Sequence, residues 1–127
     1  MLFRSIKSQQ SQITAANCLH SCAGELVLIG NGRYYGGKHI LFPKAELGDG
    51  LLEVAIFPDV ALSALARYSW GLLRQQLYEK DRVRHFRAST LSLTSSTPVP
   101  LHLDGKKVGH LPAKFSVLWN MLWVIVP

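Results

Sequence analysis

The chain has 127 residues, 48% of them hydrophobic, with 14 Lys and Arg against 8 Asp and Glu for a formal charge of +6. That length holds one ordinary core and excludes a complete two-domain phosphoryl-transfer enzyme, which needs about 100–200 residues for each domain. The positive balance favours anionic partners such as phosphorylated ligands, acidic lipid head groups or nucleic acid, without choosing among them.

Met1 to Lys7 lacks an apolar core of signal-peptide length. Cys18 and Cys22 are too few and too close to frame a small secreted disulfide scaffold, so a reducing cytosol is the expected compartment. Residues 4–24 are polar and mixed, with no helical or two-residue period, and read as one weak edge strand plus loop. From Glu25 the character changes. Glu25-Leu-Val-Leu-Ile29 is a branched apolar run closed by Gly30-Asn31-Gly32, the pattern of a buried strand ending in a tight turn. Lys38 to Phe42 and Leu51 to Phe57 read as two further strands, separated by Pro43 and the loop through Gly50.

Pro58-Asp59 breaks that run, and Asp59 is placed to N-cap a helix over about residues 60–79. Its expected apolar side carries Leu62, Leu65, Leu72, Leu73 and Leu77, and Gly71 is the expected point of any break. Strands return at Val83–Arg87, Ser89–Thr94, Val99–Leu103, Lys114–Trp119 and Met121–Val126, with Asp104-Gly105 and Asn120 as turns. Short strands around one principal helix predict a mainly β fold, an antiparallel sandwich or open barrel, and not a parallel nucleotide-binding sheet. The apolar tail from Phe115 to Val126 is interrupted by Ser116 and Asn120 and is too short to span a bilayer, so membrane contact is expected to be peripheral.

Gly30-Asn-Gly-Arg-Tyr-Tyr-Gly-Gly37 has the glycines of a phosphate loop but not the spacing, because a Walker loop or dinucleotide fingerprint opens a helix and this stretch leads into a strand. Asp49-Gly50 and Asp104-Gly105 are strong turn signals in their own right. Each also has a chemical reading. The loop 46–51 offers a carboxylate beside main-chain carbonyls, the hard-oxygen set that Mg²⁺ or Ca²⁺ prefers. Asp104, followed by Lys106 and Lys107, suits a general base kept ionised by nearby cations. Cys18-Leu-His-Ser-Cys22 supplies three ligand types where a structural zinc site takes four, so reduced, inert thiols are the better reading. Lys80, Arg82, Arg84, His85 and Arg87 form a basic cluster, read as a solvated face or as an attraction to an anionic membrane. No single-strand or groove-reading motif accompanies the charge, so nucleic acid is not an expected partner.

Several stretches, taken in order, resemble one family: Val27-Leu-Ile-Gly-Asn-Gly-Arg33, Gly36-Gly37, Pro43-Lys-Ala-Glu-Leu-Gly-Asp-Gly-Leu-Leu-Glu-Val54, Val83-Arg-His-Phe-Arg-Ala88 and Pro98-Val-Pro-Leu-His-Leu-Asp-Gly105. They are similar to the C-terminal domain of the bacterial diacylglycerol kinase and sphingosine kinase-like lipid kinases. The resemblance covers residues 25–127, and residues 1–24 form an N-terminal segment without a distinctive match. It implies a β-sandwich lining a lipid pocket, beside an α/β domain whose Gly-Gly-Asp-Gly-Thr motif holds ATP. That motif is not in this sequence.

The resemblance therefore implies the lipid-substrate side of an ATP-dependent kinase for a lipid hydroxyl such as that of diacylglycerol, inactive without a nucleotide-binding domain. It places Mg²⁺ on the Asp49 carboxylate and the carbonyls of Glu46 and Leu51. It makes Asp104 the base that takes the proton of the attacking lipid hydroxyl. Here the family's Leu-Asp-Gly-Glu reads Leu103-Asp104-Gly105-Lys106, so a cation replaces the usual carboxylate beside that base. The alternative is a non-catalytic module of the same fold that binds anionic lipid or protein. Expected partners are a lipid substrate, an anionic membrane surface, and a nucleotide-binding domain or a second copy of the chain.

Overall fold

The computed structural model describes residues 2–4, 13–16, 21–35, 39–80 and 82–118. In chain order the strands are β1 (Leu2–Arg4), β2 (Ile13–Ala16), β3 (Ser21–Gly24), β4 (Leu26–Gly30), β5 (Tyr34–Tyr35), β6 (His39–Ile40) and β7 (Leu52–Phe57). Helices α1 (Leu62–Leu73) and α2 (Leu77–Lys80) follow, and then β8 (Arg84–Ala88), β9 (Thr90–Ser95), β10 (Pro100–Leu103), β11 (Lys106–His110) and β12 (Ala113–Ser116).

Two antiparallel sheets stack without closing into a barrel. One has six strands in the order β11-β10-β1-β4-β7-β8, the other four in the order β12-β9-β2-β3, and β5 and β6 form a small separate ribbon. The alternating strands behave as their pattern predicts: β9 buries Leu91 and Leu93, while Thr90, Ser92 and Thr94 point to the other face. Those leucines meet Ile13 and Ala15 of β2 and Val27, Ile29, Val54 and Ile56 of the six-stranded sheet, forming the core between the sheets.

β4 and β7 do not alternate, because both of their faces are covered. The far face of the six-stranded sheet carries Leu26, Leu28, Ala55 and Phe57, which pack against Leu41, Phe42 and Ala45 of the loop before β7 and against Ala64, Tyr68 and Leu77 of the helices. Burial on both faces explains the near-continuous apolar runs at 26–29 and 51–57. All six residues of β7 are buried, Glu53 among them.

The helical segment departs from expectation at both ends. Ala61 occupies the N-cap position without a side-chain cap, while Asp59 Oδ1 accepts the Ala61 N–H at 2.8 Å in a turn that precedes the helix. The break falls after Gly71, not at it. The Gln75 N–H donates to Leu72 O at 3.2 Å and the Gln76 N–H to Gly71 O at 2.8 Å, the two bonds of a Schellman stop. Gln75 takes the left-handed φ of 57° there, a position usually given to glycine and costing a side-chain-bearing residue about 1 kcal/mol. Leu62 and Leu73, expected on the inner side, are exposed, and Ala64, Tyr68 and Gly71 face inward instead.

Other differences follow from long-range pairing. β1 and β2 are interior strands of their sheets, where one weak edge strand was expected over 4–24. Asp104 and Gly105, with φ of 48° and 82°, make the two-residue turn that pairs β10 with β11, a strand over residues too polar to announce itself. The expected strand at 121–126, the Asn120 turn and the Gly36-Gly37 pair lie outside the described residues, and among the described residues no helix is long and apolar enough to cross a membrane.

Gly24 marks the corner where the chain leaves the four-stranded sheet for the six-stranded one. A Cβ there would sit 2.5 Å from Ile56 Cγ2 and 2.6 Å from the Phe57 carbonyl oxygen, whereas one on Gly109 of β11 would meet nothing within 4 Å. Gly24→Ala should therefore lower stability by about 1–3 kcal/mol in urea unfolding, while Gly109→Ala should be neutral or slightly stabilising. Equal effects at the two positions would show that the Gly24 corner is not tightly packed.

Candidate functional site

Glu53 is the one charged side chain in the buried run of β7, at 1% exposure. A carboxylate in that position needs cations, because burying an isolated charge costs several kcal/mol. Strand β8 supplies them. Its register places Arg87 opposite Glu53 and His85 opposite Ala55, so both reach the same face of the sheet as the carboxylate. His85 Nε2 is hydrogen-bonded to Glu53 Oε2. Arg87 Nε lies 2.7 Å from Oε1 but off the hydrogen-bond direction, so that contact is an ion pair and not a directed bond.

Arg87 also reaches outward to the loop that precedes β7. Its guanidinium donates to Lys44 O, and its other terminal nitrogen lies 4.0 Å from Asp49 Oδ2. Arg33 Nε donates to Ala45 O at 3.3 Å, and Arg33 O accepts the N–H groups of Leu41 and Phe42 at 2.9 and 3.1 Å. Two arginines therefore hold the main chain of residues 41–45. Beyond that point Gly48 and Gly50 take left-handed φ values of 93° and 73°, and Asp49 Oδ1 accepts the Leu51 N–H at 2.9 Å. Asp49-Gly50 is thus a bend within a tethered loop and not a two-residue hairpin.

His85 is enclosed by rings. Phe42 stacks on it with centroids 5.6 Å apart and Tyr78 lies tilted at 5.1 Å. The Tyr78 hydroxyl donates to Leu41 O at 2.8 Å, and burial, reinforced by the Glu53 charge, pushes the Tyr78 phenol well above its ordinary range.

Asp104 stands in the β10–β11 turn, at the same end of the six-stranded sheet. The registers carry His102 level with Leu2, Leu2 with Leu28, and Leu28 with Ala55. The β10–β11 turn and the loop into β7 therefore leave the same end of the six-stranded sheet, three strand spacings or roughly 14 Å apart. Asp104, Lys106 and Lys107 are exposed there. Glu46, Asp49 and Leu51 share one loop, and Asp104 stands in another turn at the same end of the sheet.

The donors around Asp49 suit a hard cation. Mg²⁺ keeps several waters and takes one or two carboxylates, so one Asp with main-chain oxygens is a sufficient protein contribution. Among the described residues no three His, Cys, Asp or Glu side chains group as metal ligands. Cys18 and His20 of the zinc reading lie outside the described residues, and Cys22 is a free thiol accepting from Arg84 at 3.8 Å.

The sequence reading did not single out Glu53, Tyr78 or Arg33, and it grouped His85 and Arg87 with a solvated or membrane-facing cluster. The available signal was Glu53 itself, a lone charge inside a strand with apolar residues on both faces.

A family model described as the YegS C-terminal NAD kinase beta sandwich-like domain matches residues 2–126. The "Probable lipid kinase YegS-like" of Alcanivorax borkumensis is 32% identical over 101 residues, 78% of this chain and 34% of that protein. The "Diacylglycerol kinase" of Bacillus subtilis is 27% identical over 92 residues, 72% of this chain and 30% of that protein. The chain therefore spans about a third of the length of the curated relatives it matches. A crystal structure from Bacillus anthracis assigned to the diacylglycerol kinases superposes with a TM-score of 0.71 at 17% identity, covering 90% of this chain and 38% of that one, a likeness of fold.

Two measurements probe this network. Arg87→Met leaves the buried Glu53 with only His85 and should cost about 2–4 kcal/mol in urea unfolding, more than Glu53→Met, which leaves two partly exposed cations able to regain water. A larger loss for Glu53→Met would refute this ordering. The second concerns alkaline pH. Above about pH 10 the unfolded chain releases the Tyr78 proton while the folded chain retains it, so the unfolded state binds fewer protons and stability falls as pH rises. Tyr78→Phe should flatten that fall, measured as unfolding midpoints between pH 9 and 11.

Proposed function

The chain belongs to the family of YegS C-terminal, NAD kinase β-sandwich-like domains, and from that membership we propose that it is the lipid-substrate side of an ATP-dependent lipid kinase. The observation that carries the reading is the convergence of the Asp49 loop and the Asp104 turn on one end of the six-stranded sheet. The substrate is a lipid hydroxyl such as that of diacylglycerol, the group named in the Bacillus subtilis relative. The remaining two thirds of such a protein, or a separate chain, would contribute the nucleotide-binding domain.

In this reading Asp104 accepts the proton of the lipid hydroxyl as its oxygen attacks the γ-phosphorus, and ADP departs with the bridging oxygen. Mg²⁺, held by the Asp49 carboxylate and the carbonyls of Glu46 and Leu51, would neutralise phosphate charge. The chain's own part is positional. Arg87 and Arg33 fix the main chain ahead of Asp49, and the left-handed turn at Asp104-Gly105 projects the carboxylate from a rigid hairpin. The protein would work in the cytoplasm against a membrane surface.

A second reading, a non-catalytic module that holds anionic lipid or protein, is favoured by one feature. Lys106 and Lys107 put two exposed cations directly after the Asp104-Gly105 turn. Kinase activity on dispersed diacylglycerol, measured with a relative's nucleotide-binding domain supplied, separates the two. Asp104→Asn should lower turnover by about 10²–10⁴-fold, the usual weight of a general base, and Lys106→Glu should raise it. Absence of phosphorylation in both the native chain and Lys106→Glu would leave the non-catalytic module as the function.

A further inference from the structure

Helix α1 is apolar on both sides. Its inner face, Ala64, Tyr68 and Gly71, is buried on the six-stranded sheet. Its outer face exposes Leu62 at 85%, Trp70 at 58% and Leu73 at 63%. At about 100° per residue, Leu62, Ala66, Trp70 and Leu73 fall within an arc of roughly 80°, forming one stripe along the helix. Isolated exposed leucines are ordinary, but an aligned stripe with a tryptophan on a helix whose other face is already satisfied marks a surface that is covered in use.

The charge beside the stripe identifies what covers it. Arg74 lies next to the stripe with its guanidinium 4.6 Å from the centre of the Trp70 ring. No Asp or Glu occurs from Val60 to Tyr78. A convex apolar ridge edged by arginine and carrying tryptophan fits the interface of an anionic bilayer. There the aliphatic side chains enter the acyl boundary, the indole sits at head-group level, and the guanidinium meets lipid phosphate.

We propose that the outward stripe of α1, Leu62, Ala66, Trp70 and Leu73 with Arg74 beside it, docks this protein on an anionic membrane surface. The proposal rests on the lipid-kinase reading above and adds the face that meets the bilayer. That face is not the Lys80–Arg87 cluster, whose His85 and Arg87 are engaged by Glu53.

The full chain is mixed with vesicles of phosphatidylcholine alone or with a third phosphatidylglycerol, and binding is read by co-sedimentation and by quenching of tryptophan with brominated lipid. The expected result is at least about tenfold tighter binding to the anionic vesicles. Leu62→Glu with Leu73→Glu should lower that binding by at least tenfold, and Trp70→Phe should remove most of the quenching. Val108→Glu, at a position 55% exposed on β11, should bind as the unaltered chain does. All substituted positions are exposed, and unchanged unfolding midpoints verify that the fold survives.

Equal binding by the α1 variants and the unaltered chain overturns the proposal. So does an absence of binding to either vesicle, or a loss in the variants of self-association with vesicle binding intact, which would assign the stripe to a second copy. Phosphorylation of short-chain diacylglycerol in solution, with a relative's nucleotide-binding domain supplied, needs no bilayer. If that activity persists while vesicle binding fails, the docking face is wrong and the kinase reading stands; if vesicles bind and no lipid is phosphorylated, the reverse holds.

Discussion

The buried carboxylate of Glu53 sets the terms for one whole side of the molecule. It lies in β7, a strand of the six-stranded sheet whose six residues are all buried. An unpaired charge there would be untenable, so β8 must sit beside β7 in the register that delivers Arg87 and His85. Once Arg87 is drawn in, its remaining donors are aimed at the loop before β7, and Lys44 O and the Asp49 carboxylate are what they meet. A hydrophobic residue in place of Glu53 could fill the same space, but it would not direct a guanidinium to the loop.

The two faces of the six-stranded sheet carry different tasks. The face toward β2 and β9 packs an apolar core and contributes cohesion. The opposite face mixes an apolar core with the Glu53 network, and it is from this side that the arginines hold residues 41–45. Tyr78 joins the two parts: its ring rests against His85, its hydroxyl anchors Leu41 O, and it stands at the start of the helix that follows α1. Helix α1 and the tethered loop thus share one packed layer.

The alternating and continuous apolar patterns made the antiparallel sandwich, the principal helix and the order of most strands legible, because those depend on local periodicity and on turn chemistry such as Asp104-Gly105. The family resemblance rested on motifs distributed over residues 25–127, and the family match is consistent with it. Features that depend on partners distant in sequence were not legible. β11 is a polar strand that exists because β10 pairs with it. β1 became an interior strand only through partners at residues 26–28 and 101–102. Leucine spacing points to Leu62 and Leu73 for the inner face of α1, whereas the buried positions are the smaller Ala64 and Gly71 and Tyr68, whose ring lies edge-on to Phe57 of the sheet.

The basic residues show why charge composition predicts a partner poorly until positions are known. Arg84, His85 and Arg87 looked like one cluster along the sequence, yet alternation along β8 and the demand of Glu53 separate them: Arg84 reaches Cys22 while His85 and Arg87 turn to the buried carboxylate. Among the described residues, exposed basic side chains stand elsewhere as well, Arg74 beside Trp70 on the outer flank of α1 and Lys106 and Lys107 at the β10–β11 turn. A net charge of +6 is therefore divided between cations that hold the structure together and cations that face outward, and only the second group can recognise a membrane or a phosphate.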